Sequence, residues 1–242
     1  VYICNCQLHL IKFIVSGKGK RLIICHIGSE DGFVPDALWA FNSKKSGDYH
    51  EEMTGESFEN WFSNTLPKCE DNSVIVLDNA PYHSRKKEKI PTTAFRKSEI
   101  QGWLRSKDIA FDETMLKVEL LQIVKRHREQ YNKFIIDEMA KHQNKIILRL
   151  PPYHCELNPI ELIWAEIKQY VAAKNTTFKF EDMKTVFHEG ISLITAEKWQ
   201  RCIEHVRQKV EKNMWEIDNI VDRQMDPFII NLDEDSSSSL SD

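Results

Sequence analysis

Two segments of the chain carry the residue types from which a phosphodiester-cutting site could be built. In Val74-Ile-Val-Leu-Asp-Asn-Ala-Pro-Tyr-His83 an apolar run ends on an acid, Asp78, and passes at once into Asn-Ala-Pro turn chemistry. In Leu150-Pro-Pro-Tyr-His-Cys-Glu-Leu-Asn-Pro-Ile-Glu-Leu-Ile-Trp164 a proline-rich loop opens a helix and sets a second acid, Glu161, in its first turn. Carboxylates delivered from a strand end and a helix start are the hard oxygen ligands that Mg²⁺ takes. Two such ions can activate water or a 3′-OH and stabilise the leaving oxygen. Each acid also has a plainer role open to it. Asp78 could cap the segment after it, and Glu161, three residues beyond Asn158, fits the acid of a capping box. The pairs Tyr82-His83 and Tyr153-His154 end two Pro-Tyr-His triplets that could line one polar cleft.

The elements that must position these groups follow from periodicity. Residues 73–77 and 145–150 are continuous apolar runs, the pattern of strands buried on both faces. An acid at the C-terminal end of such a strand lies where open α/β sheets meet their ligands. Residues 10–15 and 21–27 read as strands joined by a Gly-rich turn over 16–20, and 37–41 as a short third strand. Residues 54–66 carry Phe58, Trp61, Phe62 and Leu66 on one helical face, with Thr54 or Ser57 as cap. Helices are predicted from Asn158 or Pro159 to about 173, over 178–190 and over 195–214. The last has an inner stripe of Trp199, Cys202, Val206, Val210 and Trp215. The layout is α/β with a mixed sheet.

The 242 residues, 41% hydrophobic and 29% charged, suffice for one domain of moderate size carrying an insertion. No apolar run reaches the ~18–20 residues of a membrane span. The opening lacks a basic n-region and Lys12 interrupts its apolar stretch, so it does not read as a signal peptide. The chain begins without Met and reads as part of a longer one. Six scattered cysteines (Cys4, Cys6, Cys25, Cys69, Cys155, Cys202) fit no zinc spacing and predict thiols in a reducing, intracellular compartment.

The net charge of −4 is unevenly spread. Residues 85–149 hold 16 Lys+Arg against 9 Asp+Glu, an excess of 7. Within them, residues 97–107 and 117–128 read as two short amphipathic helices with basic outer faces, joined by an extended linker. The arrangement resembles the SAP-type helix–extension–helix DNA-binding module; a helical hairpin with a solvated basic face is the simpler reading. Residues 233–242 are acidic and Ser-rich, a composition that predicts disorder.

Taken together, Leu-Asp-Asn-Ala-x-x-His after a hydrophobic strand and Pro-Pro-Tyr-x-x-x-Leu-Asn-Pro-Ile-Glu-x-x-Trp downstream resemble the catalytic core of mariner-type DNA transposases. These belong to the DDE superfamily of ribonuclease-H-like nucleases and integrases. The resemblance implies a ribonuclease-H-like mixed sheet flanked by helices, with a basic helical insertion. The core would occupy 1–83 and 145–230, the insertion 84–144 and the tail 231–242. It implies that Asp78 is the second catalytic Asp and Glu161 the final acid, both ligands of Mg²⁺, with Mn²⁺ as substitute. Asn79, His83, Asn158 and Trp164 are the supporting positions.

The implied reaction is metal-dependent DNA cleavage and strand transfer on transposon ends and target DNA, in the nucleus, with a homodimer as the working form. Arg85, Lys86, Lys87, Arg96, Lys97, Lys125, Arg126 and Arg128 are the candidate DNA contacts, since phosphate binding by Lys and Arg needs neither sequence nor metal. The 82 residues between Asp78 and Glu161 exceed the short spacer usual in the superfamily, and the basic insertion accounts for the excess. The front of the chain departs from the pattern. No acid precedes Glu30, so the first catalytic Asp is not where the family carries it, and Cys4 would fall in its place. Asp31, Asp36 and the Asp112-Glu113-Thr114 run do not match that position. The alternative is therefore an inactive, domesticated DNA-binding or scaffold protein, and an unrelated α/β protein is the third reading.

Overall fold

The computed structural model describes residues 2–5, 22–42, 53–177 and 179–224. The strand expected over 10–15, the turn after it and the acidic tail lie outside the described residues. Among the described residues six strands are formed: β1 (Tyr2–Asn5), β2 (Leu22–Ser29), β3 (Gly32–Phe33), β4 (Trp39–Asn42), β5 (Val74–Leu77) and β6 (Ile146–Arg149). They order as β3-β2-β1-β5-β6, with β4 also paired to β2. Strand β2 runs antiparallel to β1, β3 and β4, whereas β1, β5 and β6 are mutually parallel. An antiparallel flank joined through β1 to a parallel half is the ribonuclease-H-like arrangement.

All eight residues of β2 are buried, because this strand is covered on both faces. Strand β6, expected to be buried likewise, is open on one face, with Ile146 64% and Leu148 52% exposed, because no described helix packs over that face at this end of the sheet. On one face Ile23, Cys25 and Ile27 meet Ile75, Leu77 and the helix α1 (Gly55–Thr65) through Phe58 and Phe62. Helix α1 starts on a capping box: Ser57 N–H donates to Thr54 Oγ1 at 3.1 Å and Thr54 N–H to Ser57 Oγ at 3.0 Å, an arrangement worth about 1 kcal/mol. Trp61, at its middle, buries its indole N–H on the Ala37 carbonyl at 2.8 Å.

On the other face Leu22 and Ile24 pack against α5 (Ile160–Lys174), α6 (Phe180–Ser192) and α7 (Ala196–His205). Trp199 of α7 lies so close to the β2 backbone that a Cβ on Gly28 would sit 2.3 Å from its ring. After α7 the chain passes through a π-helical segment, Val206–Glu211, into α8 (Lys212–Gln224). The wider turn shifts the helical phase. The inner stripe expected to end on Trp215 therefore holds through Trp199 and Val206, while Trp215 is turned out, 70% exposed.

The stretch between β5 and β6 divides in two. Helices α2 (Lys97–Ser106) and α3 (Lys117–Tyr131) enclose a small core of their own, with Ile100 and Leu104 against Leu120 and Val124. The stem beneath them closes by hydrogen bonds from Lys87 N–H to Lys133 O at 2.9 Å and from Ile135 N–H to Arg85 O at 3.0 Å. Beyond the stem, α4 (Ile135–His142) buries Ile136 and Ala140 with the α1 side of the main core. Thus α4, which the sequence alone places with the insertion, packs on the sheet.

The cysteines need one correction. Cys69, Cys155 and Cys202 are free thiols, but Cys25, at the centre of β2, is disulfide-bonded.

Candidate active site

Asp78 is the first residue beyond β5, and its carboxylate is held locally. Oδ1 accepts from the Ala80 N–H at 3.0 Å and lies 2.8 Å from His83 Nδ1. A short 3-10 turn, Pro81–His83, brings the imidazole back to the acid. His83 is wholly buried, its ring 4.4 Å from that of Phe58 and 4.5 Å from that of Tyr82. Nδ1 donates to the carboxylate, and Nε2 has no hydrogen-bond partner among the described residues. Burial on its own would raise the Asp78 pKa; the His83 hydrogen bond and charge, the Ala80 amide and the Arg149 guanidinium outweigh it and hold the pKa below the ordinary value. Asp78 is therefore an ionised acid with 29% of its side chain exposed.

The second acid starts from the same end of the sheet. Leu77 pairs with Arg149 across β5 and β6, and Leu150 N–H donates to Leu77 O at 2.9 Å. The Asn79 side-chain amide donates to the Leu150 carbonyl, stitching the Asp78 turn to the loop that leads into α5. Glu161 is half-buried in the first turn of α5, with its backbone N–H on Asn158 O at 3.0 Å. Pro159, and not Asn158, is the N-cap residue, in helical geometry and without a side-chain cap hydrogen bond. Asn158 is 1% exposed, and neither side-chain polar atom finds a partner among the described residues. Trp164 anchors α5 in the core, 5.8 Å from the Phe33 ring.

The two Pro-Tyr-His triplets do not share a cleft. Tyr82 and His83 are core residues, whereas Tyr153 is fully exposed at a φ of +67° and His154 pairs with Glu156 at 2.9 Å on the surface. The open groove nearby, about 600 Å³, runs between the sheet and the C-terminal helices. Val76, Leu150, Pro159 and Trp215 are among its walls, and neither acid lines it.

The position that would face Asp78 from the neighbouring strand is fixed by register. Parallel pairing sets Tyr2 against Ile75 and Ile3 against Val76. Two residues further, that register runs from Asp78 to Asn5, which pairs on its other side with His26 of β2. By the same extension Cys4 falls level with Leu77, which favours Asn5 over Cys4 as the residue beside the acid. Among the described residues no group of three His, Cys, Asp or Glu gathers to hold a metal ion. The donor set is of the oxygen type that Mg²⁺ takes, but one oxygen of Asp78 is already engaged, and the residue in register beside it is a neutral amide. Among the described residues, Asp78, Glu161 and Asn5 do not fit a two-ion centre.

The candidate DNA contacts fall into two sets. Arg85 is neutralised by Glu59, with Nε on Oε1 at 2.7 Å and Nη2 on Oε2, and by Glu56 at 3.3 Å. Lys87 reaches Glu138 at 3.7 Å, and Lys97 donates to the Thr114 carbonyl at 3.5 Å. Lys86, Arg96, Lys125, Arg126 and Arg128 form no salt bridge among the described residues. The insertion spends its own acids internally. Glu99 and Glu119 cap α2 and α3, Glu113 holds Arg105 at 2.5 Å, and Glu88 holds Lys107 at 2.7 Å. One cation had no signal in the sequence. Arg149, closing β6, donates to His83 O at 2.9 Å and to Asp137 Oδ1 at 2.6 Å, and so pins the turn that carries Asp78.

The α/β fold, of ribonuclease-H-like strand order, thus carries Asp78 just beyond β5 and Glu161 in the first turn of α5. The profile of the DDE superfamily endonuclease matches residues 37–184, which include both acids and the whole insertion. The chain belongs to that family. Among solved structures, one of the Mos1 transposase catalytic domain with raltegravir and Mg is similar at 14% identity and a TM-score of 0.48, over 87% of this chain and 80% of that one. No curated protein matches the chain.

Proposed function

We propose that this chain is a transposase-derived, mariner-like DDE domain that binds double-stranded DNA and whose cutting site, built on Asp78 and Glu161, is one carboxylate short. The observation that supports the reading is the β1–β5 register, Ile3 against Val76, which continued by two residues brings Asn5 level with Asp78. Mg²⁺, with Mn²⁺ as substitute, is the cofactor such a site implies, and its chemistry when bound is activation of the attacking oxygen and stabilisation of the leaving one. An amide supplies no charge to offset a second divalent ion. Small misplacements in such sites cost about 100-fold in rate. The chain therefore acts as a DNA-binding member of a cutting family: cleavage and strand transfer, the steps of cut-and-paste transposition and integration, await a third acid. Transposon ends and target DNA are its partners, the nucleus its place of action, and a homodimer its assembly.

Within this account His83 and the Ala80 amide keep Asp78 ionised and oriented, Asn79 ties the two acid-bearing loops together, and Trp164 fixes the angle of α5. Calorimetric titration with Mn²⁺ tests the reading. The chain should bind the ion weakly, and Asn5→Asp should tighten binding at least tenfold, with that gain abolished by adding Asp78→Asn. Tight binding by the unmodified chain, unaffected by Asn5→Asp, would show that the site is already complete.

A further inference from the structure

The stem of the basic insertion holds an unbalanced cluster of charge. Phe134 carries two cations against its ring, with Lys86 Nζ 3.4 Å and the Arg149 guanidinium carbon 4.1 Å from the centroid. Arg128, near the C-terminal end of α3, is close enough to act electrostatically on Lys86. The acid at this cluster, Asp137, is taken by Arg149 at 2.6 Å. Three cations thus share one carboxylate. Burial lowers the Lys86 pKa most, and repulsion from Arg149 and Arg128 adds to it against the opposing pull of Asp137. Lys86 and Arg128 are exposed, whereas Arg149 is 16% exposed in its side chain.

We propose that Lys86, Arg128 and Arg149, gathered around Phe134, form a binding notch for backbone phosphates of duplex DNA at the foot of the insertion, beside the Asp78 turn. The proposal rests on the DNA-binding reading above and gives it a location. A phosphate arriving between Lys86 and Arg128 supplies the missing negative charge. The ring holds Lys86 in place before binding, so less side-chain freedom is lost on contact. Arg149 links the notch to the acid: its guanidinium donates to His83 O, and the His83 imidazole holds Asp78. A DNA backbone seated here runs alongside the end of β5. The neutralised Arg85, one residue before Lys86, has no part in it.

The test is fluorescence anisotropy with a labelled random-sequence duplex over a series of KCl concentrations, on the full chain. The variants are Lys86→Gln/Arg128→Gln and a charge-matched control on the C-terminal helices, Lys209→Gln/Lys212→Gln. Loss of two phosphate contacts should make the slope of log K against log salt shallower by about 1.8 and weaken binding roughly 10- to 100-fold near 0.1 M salt. The control pair should stay within about twofold, and Lys86→Arg/Arg128→Lys should restore the wild-type slope. Equal thermal midpoints confirm that only surface charge has changed. Wild-type slope and affinity in the Gln pair would overturn the notch while leaving DNA binding intact. A loss equalled by the control pair would also overturn it, as net charge alone would explain the binding. A wild-type chain that binds no duplex at any salt removes the DNA reading and the notch together.

Discussion

Replacing Arg149 with Met keeps the aliphatic stem and removes the guanidinium, isolating what that group holds together. It donates to His83 O at 2.9 Å, to Asp137 at 2.6 Å and to Ser84 Oγ at 3.3 Å, and it stacks on Phe134. A hydrogen bond involving a charged group is worth about 1.5–3 kcal/mol, and an orphaned buried acceptor costs about 1–3 kcal/mol. The Asp137 side chain is 38% exposed, so water replaces most of what it loses. The His83 carbonyl, beneath a wholly buried ring, is where most of the cost falls. The long Ser84 contact adds little, and the cation–π contact about 0.5–1 kcal/mol. We expect a loss of about 2–4 kcal/mol, or a midpoint lower by roughly 5–12 °C in a domain of this size. Urea denaturation followed by tryptophan fluorescence measures it, with the m-value unchanged. Arg149→Lys, which keeps the charge but not the fork, should recover about half. A shift under about 2 °C would refute the claim that Arg149 pins the Asp78 turn.

Other outcomes follow from the same packing. Gly28→Ala drives a methyl into the Trp199 ring and should cost about 1–3 kcal/mol in chemical denaturation. Gly102→Ala, inside α2 with nothing within 4 Å of the new Cβ, should gain up to about 1 kcal/mol. His26, buried against Phe33 with its pKa pushed down by burial to about 3, stays neutral in the fold but is protonated in the unfolded chain below its ordinary value of 6.5. Its contribution is complete above that value and falls away as pH drops from about 6.5 towards 3, at up to about 1.4 kcal/mol per pH unit. His26→Leu should flatten that part of a stability-against-pH curve; an unchanged slope would count against it. The Cys69 thiol, raised by burial to about 11 with Lys145 pulling weakly the other way, should resist a thiol reagent at pH 8 until the chain unfolds, while exposed Cys155 reacts at once.

The sheet and its flanking helices were legible because their patterns are strong. The runs at 74–77 and 146–149 are both strands, but only the first is buried, since Ile146 and Leu148 of β6 stay exposed, and Thr54 with Phe58, Trp61 and Phe62 wrote α1 in full. Asp78 and Glu161 could be picked out because each follows or opens such an element. Features set by long-range contact were not legible. Arg149 pins the Asp78 turn through a backbone carbonyl 66 residues away in sequence, which no local pattern encodes. The phase slip that exposes Trp215 comes from a π turn, invisible to a 3.6-residue template. Whether a surface arginine is free or neutralised also depends on partners far along the chain, as Arg85 shows with Glu59. The place beside Asp78 needed the strand register, because nothing before Glu30 is acidic and several residues could have stood there.

The most direct measurement of the central claim is nicking of supercoiled plasmid in Mg²⁺ and in Mn²⁺. The chain itself should leave the plasmid supercoiled, no faster in metal than in chelator. Asn5→Asp should nick it in a metal-dependent way, and adding either Asp78→Asn or Glu161→Gln should abolish the activity. Metal-dependent nicking by the unmodified chain, lost in Asp78→Asn, would contradict the account and mean that the third ligand comes from a residue other than the one beside Asp78.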